Sequence, residues 1–83
     1  MSKENKILFF SSSTCGPCNL AKSKLNEEII KELNIEILSD SEWEAFVIHE
    51  VKSVPTFIKI NTESNKEVNR VVGFKNIEDL RRL

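Results

Sequence analysis

The sequence predicts a minimal α/β fold, β-α-β-α-β-β-α, with a four-stranded mixed sheet and helices on both faces, in one domain spanning 1–83. Three observations predict it. The run Ile7-Leu8-Phe9-Phe10 is apolar without alternation, as expected of a strand buried on both faces. A helical stripe follows it and leads to a second short strand, Ile35-Glu36-Ile37-Leu38, so that strand, helix and strand succeed one another as a right-handed parallel unit. Later, Glu67-Val68-Asn69-Arg70-Val71-Val72 alternates like a solvated edge strand behind Thr56-Phe57-Ile58-Lys59-Ile60, which marks a hairpin.

Taken in order, Met1 to Lys6 leads directly into the first strand and has no pattern of a secretory signal. Ser11-Ser12-Ser13-Thr14 is a polar loop. Pro17 suits the first turn of the helix after it, where its missing N–H costs nothing. Cys18, Ala21, Leu25, Ile29 and Leu33 form that helix's inner stripe. Ser41-Glu42-Trp43-Glu44 resembles a capping box that opens a short helix with Trp43, Phe46, Val47 and Val51 facing inward. Pro55 precedes the third strand, and residues 61–66 make a polar turn. Gly73 ends the fourth strand. Asn76 caps a last helix with Ile77, Leu80 and Leu83 inward, acids Glu78 and Asp79 at its start and Arg81 and Arg82 at its end, as the helix dipole prefers. The first strand is expected at the centre, flanked by the second and third, with the hairpin at one edge.

Twelve Lys plus Arg against thirteen Asp plus Glu leaves no basic excess, so nucleic acid is not an expected partner. No apolar run is long enough to span a membrane. A cytoplasmic monomer is expected.

The chemistry is concentrated in Cys15-Gly16-Pro17-Cys18, which holds the two cysteines of the chain. One helical turn brings both sulfurs within bonding reach, so dithiol and a Cys15–Cys18 disulfide can interconvert with little backbone movement. The alternatives are a buried structural pair or half a zinc site. A zinc site needs about four ligands, and His49 is the one histidine, so no metal is expected. His49 itself reads as a surface residue near a helix end. The start of a helix favours negative charge, so Cys15 is the expected nucleophile and Cys18, one turn in, the resolving thiol.

These residues resemble the thioredoxin superfamily. Cys15-Gly16-Pro17-Cys18 matches the thioredoxin tetrad, and Ser53-Val54-Pro55-Thr56 resembles the family's second signature, whose proline follows a cis peptide bond. Gly73 matches the glycine that ends the last strand. The resemblance implies that Val54, Pro55, Gly73 and Phe74, with Gly16 and Pro17, form the substrate-binding rim. An extended substrate segment would pair with the Val54 backbone there. It also implies thiol–disulfide exchange on protein disulfides, with no bound cofactor and with electrons from NADPH through a flavin-dependent thioredoxin reductase.

The chain departs from that family in four places. It lacks the extra opening strand and helix of typical thioredoxins, and its length and element order resemble the glutaredoxin core. Thr14 stands where thioredoxins place a tryptophan. Phe9 stands where they bury an aspartate, and their lysine partner falls on Glu36. Glu36 is therefore expected to be partly desolvated and to accept the Cys18 proton in the aspartate's place. A glutaredoxin-like enzyme fed by glutathione is the alternative function, although the Gly-Pro pair between the cysteines favours the first. A non-catalytic docking domain is the third.

Overall fold

A computed structural model describes residues 5–83; the first four residues of the N-terminal lead lie outside the described residues. Strand β1 (Asn5–Phe10) is followed by helices α1 (Gly16–Lys24) and α2 (Glu27–Leu33), then by β2 (Ile35–Leu38). A single 3-10 turn (Asp40–Glu42) opens α3 (Trp43–Ile48). The hairpin β3 (Thr56–Asn61) and β4 (Lys66–Val72) and the helix α4 (Ile77–Arg81) complete the fold.

The four strands form one sheet in the order β2-β1-β3-β4. Strand β1 runs parallel to β2 and antiparallel to β3, and β4 returns antiparallel along β3. This is the mixed sheet expected, with the first strand inside and the hairpin at one edge. Successive side chains of a strand point to opposite faces, so β1 serves two cores. Ile7 and Phe9 join Ile35 and Phe57 beneath Ala21 and Leu25 of the first helical segment and Leu80 of α4. Leu8 and Phe10 join Leu38, Ile58 and Ile60 beneath Ala45 and Phe46 of α3. Phe9 and Phe57 stack with ring centroids 4.4 Å apart, and Phe10 meets Phe46 edge-on at 5.0 Å.

Three local expectations need correction. The single long helix is two helices. Leu25 adopts extended backbone, and Asn26 starts α2 afresh by accepting the Ile29 N–H on its side-chain oxygen at 2.9 Å. Glu27 and Glu28 then lie in a new first turn, where the dipole favours them. The capping box is centred on Ser39 rather than Ser41: the Glu42 carboxylate accepts the Ser39 N–H at 3.2 Å. Finally, Trp43 and Val47 do not face inward. They lie on the solvent side of α3, while Phe46 and Val51 pack on the sheet. At the C-terminal helix, Asn76 caps α4 by accepting the Asp79 N–H at 3.1 Å, as expected, and Arg81 pairs with Glu32 of α2.

Candidate active site

The loop between β1 and α1 is fastened at its first residue. Ser11 is buried, and both its N–H and its hydroxyl donate to the Leu38 carbonyl at the end of β2, at 2.8 and 3.0 Å. The chain then turns, with the Cys15 N–H donating to the Ser12 carbonyl at 3.2 Å. Cys15 is the N-cap of α1. Its sulfur accepts the Cys18 N–H at 3.2 Å, as a serine or aspartate oxygen does at a conventional cap. Pro17 occupies the first turn, and open space surrounds the point where Gly16 would carry a Cβ. The N–H aimed at the sulfur and the positive end of the helix both favour negative charge at this position.

Both cysteines are free thiols, and they differ in access. Cys15 is partly exposed, whereas Cys18 is completely buried. Burial and the hydrogen bond with Cys15 push the Cys18 thiol from 9.0 up to about 11, against the opposing pull of a backbone hydrogen bond from Ser12. Beneath this end of α1 the sheet is apolar. The position of the expected family aspartate is filled by Phe9, fully buried and stacked on Phe57.

The segment before β3 closes the other side. The Val54–Pro55 peptide is cis, and the Val54 carbonyl accepts the Cys15 thiol at 3.8 Å. The Pro55 carbonyl in turn accepts the Gly73 N–H at 2.7 Å, which ties the end of β4 to the same loop. Gly73 has φ +90°, a conformation that a side chain disfavours. Phe74 packs against Phe57 at 5.9 Å and lines an open groove of about 500 Å³ with Val71, Val72, Gly73, Lys75 and Asp79. Cys15, Gly16, Pro17, Cys18, Val54, Pro55, Gly73 and Phe74 are thus linked through one chain of contacts.

Glu36 is not among them. It pairs in register with Leu8, on the face of the sheet that carries α3, while α1 packs on the opposite face with Phe9. It is exposed and forms an ion pair with Lys6. The desolvated carboxylate expected from the sequence is therefore absent at this position, because alternation along a strand turns residue 36 away from Cys18. Ser11 and Ser12 are the contributors that sequence reasoning missed. Their signal was a serine directly continuing a fully apolar strand. Among the described residues, no group of three or more His, Cys, Asp and Glu side chains is placed to hold a metal ion.

No protein-family model matches the sequence, and no curated protein matches it. Solved structures do. A thioredoxin from Fasciola hepatica superposes with a TM-score of 0.75 at 29% identity, over 95% of this chain and 80% of that one. A thioredoxin from Nicotiana alata gives 0.77 at 25% identity, over 99% and 72%. A thioredoxin variant from Halobacterium salinarum gives 0.76 at 20% identity, over 95% and 70%.

Proposed function

We propose that this chain, which belongs to the thioredoxin superfamily, is a thiol–disulfide oxidoreductase that reduces protein disulfides. What supports this most is the asymmetry of the dithiol: Cys15 is accessible at the start of α1 and faces the Val54 carbonyl, while Cys18 is sealed behind it.

Cys15 attacks one sulfur of a substrate disulfide as a thiolate. That S–S bond breaks, a mixed disulfide forms, and the other substrate sulfur leaves as a thiolate. Cys18 holds its proton during this step, since burial favours the neutral thiol. The departing thiolate is formed beside the site and takes that proton. Cys18 then attacks the Cys15 sulfur, the mixed disulfide breaks, and the second substrate sulfur leaves. The substrate gains two electrons, and the enzyme retains a Cys15–Cys18 disulfide. No carboxylate is needed in this sequence, which agrees with Phe9 in the core and Glu36 on the far face. The groove along Val72, Gly73 and Phe74 supplies an apolar rim for an extended substrate segment.

Recharging is assigned to NADPH through a flavoprotein of the thioredoxin reductase type, with glutathione as the alternative donor, and the setting to the cytoplasm as a monomer. Gly16-Pro17 between the cysteines favours the reductase. The test supplies either thioredoxin reductase with NADPH, or glutathione with its own reductase, and follows insulin reduction. The first system is expected to drive turnover. Cys15→Ser should abolish it, and Cys18→Ser should accumulate the mixed disulfide. Turnover with glutathione alone would move the chain to the glutaredoxin-like class. Biological function left intact by alkylation of Cys15 would remove the dithiol from that function and leave a docking domain.

A further inference from the structure

Helix α3 is apolar on both sides. Its inner side, Ala45 and Phe46, packs on Leu8, Phe10, Leu38, Ile58 and Ile60. Its outer side carries Trp43, Val47 and Ile48, which are 63%, 66% and 75% exposed. Trp43 and Val47, four apart, share one stripe, Glu44 and Ile48 share the stripe beside it, and the four line an open depression of about 370 Å³. A surface helix normally carries charged or polar groups on this face. A lone exposed apolar side chain needs no explanation, but a contiguous group with a polar rim marks an interaction site.

Charge identifies the partner: Glu44 lines the depression, and the acids of the flanking chain form an acidic rim around it in sequence. Asp40, Glu42, Glu44 and Glu50 are all exposed, and no Lys or Arg occurs from Ser39 to Val51. Of the cations at its margin, Lys52 lies just beyond, and Arg70 is held by Glu67 while donating to the His49 carbonyl at 2.8 Å. A second copy docking through the same face would set acidic rim against acidic rim. An anionic membrane surface would be repelled for the same reason. The rim also reaches the redox loop, because the Ser12 hydroxyl donates to the Asp40 carboxylate at 3.4 Å.

We propose that the outer face of α3 is a docking site for a basic amphipathic helix of a partner protein, whose apolar stripe covers Trp43, Val47 and Ile48 and whose Lys or Arg flanks meet the acidic rim. Trp43 is the anchor, as large aromatic residues commonly are at interface centres. A partner seated here would lie next to the loop that carries Cys15.

Trp43 is also the one tryptophan of the chain, so its fluorescence reports on this face directly. The experiment titrates the full protein with a synthetic helical peptide that has a leucine face and a lysine face. A peptide of the same pattern with glutamate replacing lysine serves as control. A saturable blue shift is expected with the lysine peptide only, weakening as salt is raised. Val47→Glu should weaken binding roughly tenfold or more, about 1.4 kcal/mol. Val68→Glu, on exposed β4, should leave it unchanged. Absence of a shift, or equal binding of both peptides, overturns the proposal. So does undiminished binding by Val47→Glu when circular dichroism shows it folded. A concentration-dependent dimer that Val47→Glu dissociates would make this a self-association face, and a Trp43 shift on phosphatidylglycerol vesicles would make it a membrane face. Either result also refutes the basic-helix partner.

Discussion

Alkaline pH should destabilise the reduced protein through Cys18. Burial of this thiol, supplemented by its hydrogen bond with Cys15, raises it from 9.0 to about 11 in the folded state. Between those values the folded chain keeps a proton that the unfolded chain has lost. The stabilisation is therefore complete below pH 9.0, declines as pH rises through the interval, and is gone above about 11. Each pH unit corresponds to about 1.4 kcal/mol, so the whole effect approaches about 3 kcal/mol. That is a large share of the roughly 5–15 kcal/mol that stabilises a typical domain. The assay is urea unfolding of the fully reduced protein at a series of pH values, followed by circular dichroism, for the parent and for Cys18→Ala. Cys18→Ala removes this ionisation, so the pH dependence that differs between the two proteins reports the Cys18 thiol together with its bond to Cys15. The parent's free energy should fall toward or below that of the variant by about 3 kcal/mol over the interval. A difference that stays constant with pH would show that Cys18 is not desolvated in solution, and the asymmetry of the dithiol would lose its basis.

Other substitutions separate the roles assigned to individual residues. Glu36→Gln should leave the pH–rate profile of disulfide reduction unchanged and cost less than about 1 kcal/mol, because it removes only an exposed pair with Lys6; stopped-flow reduction across pH checks the first point and urea unfolding the second. Phe9→Ala should lose about 3–5 kcal/mol, since a fully buried ring stacked on Phe57 is removed from the core under α1, and the urea midpoint reads this directly. Gly73→Ala should cost about 1–2 kcal/mol from backbone strain at φ +90°, because a Cβ there meets no neighbouring atom within 4 Å; a crystal structure of the variant should show the chain shifted at this residue rather than crowded.

The sheet was legible because its central strand is apolar without interruption and the hairpin alternates. The positions of Cys15, Cys18, Val54, Pro55 and Gly73 followed from spacing and resemblance. What failed did so for identifiable reasons. Helical periodicity carries no direction when both sides of a helix are apolar, so it does not reveal that Trp43 and Val47 lie on the outer side of α3. The apolar stripe through Leu25 masked the break after it, although Asn26-Glu27-Glu28 is itself a helix start. The family resemblance points Glu36 toward the dithiol, whereas its own strand does not. Leu38, two residues on, packs on the face of α3, and period two puts Glu36 on that face as well.

The interruption at Leu25 and Asn26 separates chemistry from architecture. A helix acts on a charge at its start almost entirely through its first turn, so nothing past Lys24 is needed to poise the sulfur of Cys15. The reactive unit is modular: a serine-anchored loop, a sulfur cap and nine helical residues. The stretch after it serves packing, with Ile29, Ile30 and Leu33 set against the core beneath the sheet's helical cover.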